Sequence, residues 1–299
     1  MKNYEVIIIG GSFAGLSAAM ALGRSLRKTL IIDGGEPCNR FTPEAHNFIT
    51  HDGKKPSEIS AMAKEQVLAY SSIKFEKGFA HKVEKKKDFF TVEVDNGENY
   101  TAKKIILATG VKDQLLDING FKECWGKTII HCPYCHGYEF KNEKTAILAN
   151  TDDAYHLAGL VKNLTNELKI LTNGHQNFTE DQLKKFEKNN IEIIQEPIIK
   201  FSQTEGNLEK VIFTNQEELT LKALYARIPF IQSSSIAEDL GCAFTEMGHI
   251  QVNFMQETSI DGVYAAGDNT IMLRSIANAV NAGNVAGAIV NMKLVEEEF

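Results

Sequence analysis

The stretch Tyr4-Glu5-Val6-Ile7-Ile8-Ile9-Gly10-Gly11-Ser12-Phe13-Ala14-Gly15-Leu16 decides how this chain is read. Glu5–Ile9 is a short β-branched run, the pattern of a buried strand. Gly10 to Gly15 is a turn, and Leu16–Leu26 is an Ala/Leu-rich helix. Thr29–Ile32 reads as a second strand that runs into Asp33. Strand, turn, helix and strand together make a βαβ unit, because parallel strands need a crossover connection. The turn approximates G-x-G-x-x-G, with Ser12 where the middle glycine usually stands. That pattern lets the backbone approach a pyrophosphate while a helix N-terminus offers amide donors. Phe13 and Ala14 complete the turn, and Asp33 is placed to accept a hydrogen bond from a ribose hydroxyl. A turn of this kind also occurs in α/β proteins that bind no dinucleotide.

Outward from this unit the pattern continues. Pro56–Ala69 reads as a helix, and Phe75–Val83, Phe89–Val94 and Asn99–Ala108 as strands, with Asp95-Asn96-Gly97-Glu98 as a turn. A second βαβ-like run follows: strand Thr145–Leu148, helix Asp153–Leu164, strand Leu168–Leu171, helix Asp181–Asn189. Ile193–Phe201, Leu208–Phe213 and Leu219–Ala226 suggest a small antiparallel set. The chain then returns through strand Gly262–Ala266, Gly267-Asp268 and an Ala-rich helix, Ser275–Val295. The expected fold is α/β, with two Rossmann-like three-layer domains, the second inserted in the first. The expected boundaries are 1–113 plus 245–299 for the first and 114–244 for the second.

At 299 residues, two domains are in keeping with the length. The 43% hydrophobic and 24% charged content is that of an ordinary globular protein. A net charge of −7 argues against a nucleic-acid footprint. No run approaches the ~18 apolar residues of a membrane span. The N-terminal apolar run is too short for a secretory signal, so a cytoplasmic location is the default expectation.

A second motif is Ile130-His131-Cys132-Pro133-Tyr134-Cys135-His136-Gly137-Tyr138-Glu139. Three chemistries use a C-x-x-C of this form. Zinc needs about four ligands, but Cys38, Cys124 and Cys242 are single and widely spaced. C-x-x-C-H is also the covalent haem attachment pattern, which accompanies export. The third reading is a reversible disulfide. Pro133 suits a first helical turn, and a helix N-terminus favours the thiolate that attacks disulfides. His131 reads as structural.

Three elements converge on one family: the Gly10–Gly15 turn, Leu107-Ala108-Thr109-Gly110, and the run from Thr258 to Asp268 that ends in Ala266-Gly267-Asp268. Together they resemble the FAD-binding pyridine nucleotide-disulfide oxidoreductases. With the C-x-x-C in its second domain, the whole chain resembles low-molecular-weight thioredoxin reductases. That resemblance implies a flavoprotein exchanging electrons between FAD and a Cys132–Cys135 disulfide, with Cys132 meeting substrate, Cys135 facing the flavin and His136 replacing the family's acid/base aspartate. It implies FAD contacts from Gly10, Ser12, Phe13, Ala14, Gly15, Asp33, Asn39, Arg40, Asn47, Thr109, Gly110, Gly267, Asp268, Ile276 and Ala277. No metal site is expected. A homodimer is implied, with a thioredoxin-like protein or a small dithiol or disulfide as substrate.

The chain departs from that family in its second domain. The turn Ala149-Asn150-Thr151-Asp152-Asp153-Ala154 has no glycine, and Thr172-Asn173-Gly174-His175 has no arginine for a 2′-phosphate. Weak NADP(H) binding is therefore expected. Relatives of thioredoxin reductase that lack these motifs include dithiol oxidases using oxygen and reductases fed by ferredoxin or another non-nicotinamide donor. A non-catalytic flavin-bound redox sensor is the alternative from another class.

Overall fold

A computed structural model describes residues 2–299, which form two compact units. The first comprises Met1–Arg40, Pro56–Lys112 and Phe230–Phe299; the second comprises Phe41–Lys55 and Asp113–Pro229. Two boundaries differ from those expected. The chain returns to the first unit near residue 230 because Ile236, Ala237 and Cys242 are buried in the same core cluster as Ile7, Val92 and Ile105. The loop of residues 41–55, far upstream of the insert, packs with the second unit through contacts that have no local sequence signature.

In the first unit, strand Lys2–Ile9 lies between Thr29–Asp33 and Asn99–Leu107, all parallel. Ile73–Lys77 extends the sheet beyond Thr29–Asp33, and Val263–Ala265 pairs in parallel with the end of Asn99–Leu107. Phe90–Val94 and Ala80–Lys85 add antiparallel strands. The single strand expected over Phe75–Val83 is thus two. The break falls at Gly78, whose amide donates to Asp33 O, after which the chain enters a different position in the sheet.

Helix Phe13–Arg24 packs against the long C-terminal helix, Ile276–Glu298. The Ala and Gly content of that last helix has a steric cause. A Cβ on Gly283 would stand 2.0 Å from Ala14 O, and one on Gly287 2.5 Å from Ala18 O. The backbones therefore meet at a distance that larger residues forbid. Ser275 caps the helix by accepting from Asn278 N at 3.1 Å.

The second unit has a five-stranded parallel sheet in the order Glu192–Ile194, Leu168–Leu171, Thr145–Leu148, Ala223–Ala226, Ile129–Ile130. Alternation along Thr145–Leu148 serves two cores. Ile147 packs with Ala154, Leu157 and Phe186 from the helices, while Ala146 and Leu148 pack with Phe201, Val211 and Phe213. Those three come from an antiparallel sheet of Ile198–Thr204, Asn207–Phe213 and Glu218–Thr220. The result is helices, parallel sheet and antiparallel sheet in three layers. Ile193–Phe201 and Leu219–Ala226, each read as one strand, are each divided between two sheets. Pro197, which has no amide hydrogen for a ladder, marks the first division.

Candidate active site

The dinucleotide candidates of the first unit gather at the C-terminal ends of its parallel strands, where open α/β sheets bind ligands. Gly10 has φ +104°, and a Cβ there would lie 2.1 Å from Ala108 O. A Cβ on Gly15 would meet Gly10 O at 1.9 Å, so both positions exclude any side chain. Ser12 is the N-cap of helix Phe13–Arg24; its hydroxyl makes no capping bond, and the first turn holds no acidic residue. Phe13 and Ala14 begin that helix. Asp33 Oδ1 accepts from Gly11 N at 2.9 Å, so the acid helps shape the turn.

Asn269, which the sequence reading overlooked, ties two neighbouring strand ends together. Its Nδ2 donates to Leu107 O at 2.9 Å and to Thr109 Oγ1 at 3.3 Å. Gly110 and Gly267 have φ of +66° and +101°, and a Cβ on Gly267 would approach Ala14 Cβ to 3.0 Å. Arg274 Nε lies 3.8 Å from Asp268 Oδ2, and Arg274 Nη2 is 2.8 Å from Cys38 Sγ. Asn39 and Arg40 sit in the short turn Cys38–Phe41, with Arg40 Nη1 donating to Pro37 O. Ile276 and Ala277 open the C-terminal helix. Asn47 belongs to the second unit.

These residues fit FAD on two observations. Gly10 and Gly15 allow the strand end, turn and helix to approach so closely that an added Cβ would stand about 2 Å from a backbone oxygen, the packing a pyrophosphate-binding turn needs. In addition, Asn269 Oδ1, His249 Nε2 and Gln232 Oε1 are buried in the same unit without a hydrogen-bond partner. Burial, followed by the charge of Arg274, pushes the His249 imidazole below its ordinary value of 6.5.

In the second unit, the expected redox motif opens a single helical turn, Pro133–His136, with Cys132 as N-cap and Pro133 at its first position. Cys132 Sγ and Cys135 Sγ are 2.8 Å apart. A disulfide at ~2.05 Å is within reach of small side-chain rotations. Both cysteines are half-buried. Cys124 and Cys242 are buried, and burial pushes their thiols up, the setting of inert structural cysteines.

His136 Nε2 is 3.3 Å from Glu44 O. A carbonyl can only accept, so Nε2 carries the hydrogen and Nδ1 is left as the basic nitrogen. Burial is the main cause holding His136 below 6.5; the Glu44 contact and Glu139 oppose it, and His46 adds to it. Around this pair stand residues the sequence reading missed. His46 contacts Glu139 of the motif, and Tyr225 is buried at the end of strand Ala223–Ala226. The Tyr225 phenol is held protonated, first by burial and then by the charges of Glu139 and Cys132. Because the motif links to residues ~90 positions upstream and downstream in sequence, no local pattern could have marked them. Tyr134 and Tyr138 are exposed beside the cysteines.

In the turn at the family's NADP(H) position, acidic side chains pair with neighbouring groups of the same unit. Asp152 and Asp153 occupy the first turn of helix Asp152–Val161. Arg227 Nη1 pairs with Asp153 Oδ1 at 2.6 Å, and Gln182 Nε2 donates to Asp152 Oδ1 at 2.7 Å. An arginine therefore does reach this turn, from the end of strand Ala223–Ala226, although the segment Thr172–His175 offers none. Among the described residues no helix is long and apolar enough to cross a membrane, and no His, Cys, Asp and Glu cluster forms a metal site.

Comparison with known proteins follows the same lines. The sequence matches the family described as pyridine nucleotide-disulphide oxidoreductase over residues 4–286. It is 32% identical over 304 residues to a thioredoxin reductase of Claviceps purpurea, spanning 98% of this chain and 95% of that one. The putative thioredoxin reductase TrxB from Bacillus anthracis superposes with a TM-score of 0.94 at 28% identity, over 99% of this chain and 100% of that one. An oxidoreductase from Agrobacterium tumefaciens superposes at 0.92 with 34% identity, over 99% of each chain. The chain is a thioredoxin reductase-like oxidoreductase and belongs to the pyridine nucleotide-disulphide oxidoreductase family.

Proposed function

We propose that this enzyme is an FAD-dependent thiol–disulfide oxidoreductase working through Cys132 and Cys135, and that NADPH is not its effective electron donor. The observation that carries the reading is the 2.8 Å approach of the two sulfurs on one helical turn, with a tautomer-fixed histidine next in the chain. Gly10, Ser12, Gly15, Thr109, Gly267 and Asp268 would hold the FAD, with Asn39, Arg40, Ile276 and Ala277 contributing from the same unit. When bound, that cofactor supplies two-electron exchange with the dithiol.

The protein's own chemistry is thiol exchange. A thiolate of one partner attacks a disulfide sulfur of the other, the S–S bond breaks, and a second thiolate closes the new disulfide. Overall a dithiol gives up two electrons and two protons to a disulfide. His136 lies four residues beyond Cys132, on the same side of the turn. Its Nδ1 takes the thiol proton and returns it to the departing sulfur. Exposed Tyr134 and Tyr138 offer aromatic faces to a thioredoxin-like protein or a small dithiol substrate.

A specific observation favours the oxidase direction, from a substrate dithiol to oxygen. Asp152 and Asp153 stand in the first turn of helix Asp152–Val161, where they would repel the phosphates of a nicotinamide nucleotide bound in the family's manner and so weaken the usual source of reducing equivalents. A ferredoxin-type donor remains the other route for a reductase. The test is a spectroscopic one. The purified protein should show flavin absorbance, and this should bleach quickly with a small dithiol and slowly with millimolar NADPH. Complete bleaching by low micromolar NADPH would overturn the donor assignment, and a protein that carries and takes up no flavin would overturn the whole reading.

A further inference from the structure

The loop bridging Ala45 and Lys54 presents a cluster of charged groups to the redox turn, all within the second unit. His46 is at its centre, with its side chain only 17% exposed. Its Nε2 lies 3.5 Å from Glu139 Oε1 and 3.7 Å from Glu44 Oε2, and its Nδ1 3.5 Å from Asp52 Oδ2. Glu139 belongs to the redox motif, so this imidazole joins the loop to the segment that carries both cysteines. Its ring meets that of His136 edge-on, with centroids 6.2 Å apart.

The loop is built to a fixed shape. Ala45 N donates to Lys54 O at 2.8 Å, Gly53 N to Ala45 O at 2.9 Å, and Asn47 N to Asp52 Oδ1 at 2.8 Å. Asn47 and Thr50 hold φ of +58° and +74°. For a β-branched residue such as Thr50 this is an uncommon conformation, and it persists only where surrounding contacts impose it. What the loop delivers is one atom, the Glu44 carbonyl oxygen against His136 Nε2.

We propose that His46 is a positioning residue: it clamps the Ala45–Lys54 loop to the redox turn so that the Glu44 carbonyl keeps His136 in the Nε2–H tautomer, with Nδ1 open to the thiols. The inference rests on the reading of Cys132 and Cys135 as the redox pair and of His136 as their acid/base. The charged and titratable groups facing His136 are His46 and Glu44 from the loop and Cys132, Cys135 and Glu139 from its own segment. Burial and the carbonyl bond are what the clamp maintains.

Three measurements separate this from a merely structural role. Long-range ¹H–¹⁵N correlation spectra of the histidine rings should show His136 as the Nε2–H tautomer in the wild type and a mixture in His46→Asn. The rate at which the reduced pair is alkylated, followed against pH, should fall roughly tenfold at neutral pH in His46→Asn, less than the loss seen when a catalytic imidazole takes the wrong tautomer. The double variant His46→Asn/His136→Asn should react no more slowly than His136→Asn alone, because His46 acts through His136. Glu139→Gln, which removes the other half of the clamp, should give the same tautomer mixture and covers the case in which His46→Asn does not fold. An unchanged tautomer and pH profile in a folded clamp variant would overturn the inference, as would additive losses in the double variant. If the wild-type pair fails to cycle between dithiol and disulfide, it is the functional reading that fails; the tautomer measurement then stands alone as the test of the clamp.

Discussion

The two units begin with the same local architecture and end with opposite electrostatics. Strand Lys2–Ile9 leads through Gly10-Gly11-Ser12 into helix Phe13–Arg24, and strand Thr145–Leu148 leads through Ala149-Asn150-Thr151 into helix Asp152–Val161. Ser12 and Thr151 are the equivalent N-caps, and neither uses its side chain to cap. In the first unit the first helical turn carries no acid, and Gly10 and Gly15 exclude side chains, so the helix N-terminus is left without a carboxylate of its own and favours an anion. In the second, Asp152 and Asp153 satisfy that same positive end from within the chain, and Arg227 and Gln182 hold them there. The lesson is that a fold supplies a position, and the residues at that position decide whether it is a binding site.

The sharpest way to break the comparison is at the third helical residue, Gly15 in one unit and Ala154 in the other. Gly15→Val places a side chain 1.9 Å from a backbone carbonyl at its first carbon alone. It should cost at least the ~1–3 kcal/mol of an overpacked core, and it should empty the proposed flavin site. The equivalent Ala154 is already fully buried beside a turn that tolerates a Cβ, so Ala154→Gly should leave flavin absorbance intact. Thermal melts and visible spectra of both variants check this; a yellow, stable Gly15→Val protein would refute this reading of the turn.

Next in size is the redox turn. His136→Asn should slow thiol exchange by roughly 10²-fold, the contribution of a general base. In the wild type the base form is present at neutral pH, because His136 titrates below 6.5. Exchange should therefore fall as pH drops through that lowered value, and the variant should lose this acid limb. The same shift has a stability consequence. His136 and His249 are both neutral in the fold, and the unfolded chain takes up protons first as pH falls. Denaturant midpoints should accordingly decrease on the acid side of 6.5. A midpoint that rises there would contradict the burial of these two rings.

A smaller effect is expected from reopening the second turn. Asp152→Ser with Asp153→Ala removes two carboxylates from the phosphate position and should tighten NADPH binding by about tenfold, or ~1.4 kcal/mol. Equilibrium dialysis or quenching of nucleotide fluorescence reads this directly, and unchanged affinity would mean that the missing glycines matter more than the charges. Smallest of all, Asp153→Ala alone should lower stability by no more than ~1 kcal/mol, since its pair with Arg227 is part-exposed and screened by solvent. A larger loss in a melt would show that the pair braces the sheet end rather than only filling the turn.

Much of the fold was legible because its signals are local. Apolar β-branched runs, glycine turns and an Ala-rich helix follow from period and turn chemistry over a few residues. The Cys132–Cys135 spacing and the Gly10–Gly15 turn are local in the same way. Where reading failed, one apolar run served two strands: Gly78 redirects the chain to another position in the same sheet, and Pro197 and the Leu221-Lys222 corner redirect it between sheets.

The sequence by itself determined that a strand–turn–helix with an open N-terminus opens the chain, that a second such unit carries acids instead, and that two thiols stand three residues apart. Only the tertiary structure decided what surrounds them. Glu44 and His46 reach the redox turn from a segment 92 residues away in sequence at its closest hydrogen bond, and Arg227 reaches Asp153 across 74. Contacts at such separations depend on how whole sheets and loops pack. Their energy is spread over many buried side chains, so no short window of sequence can hold it.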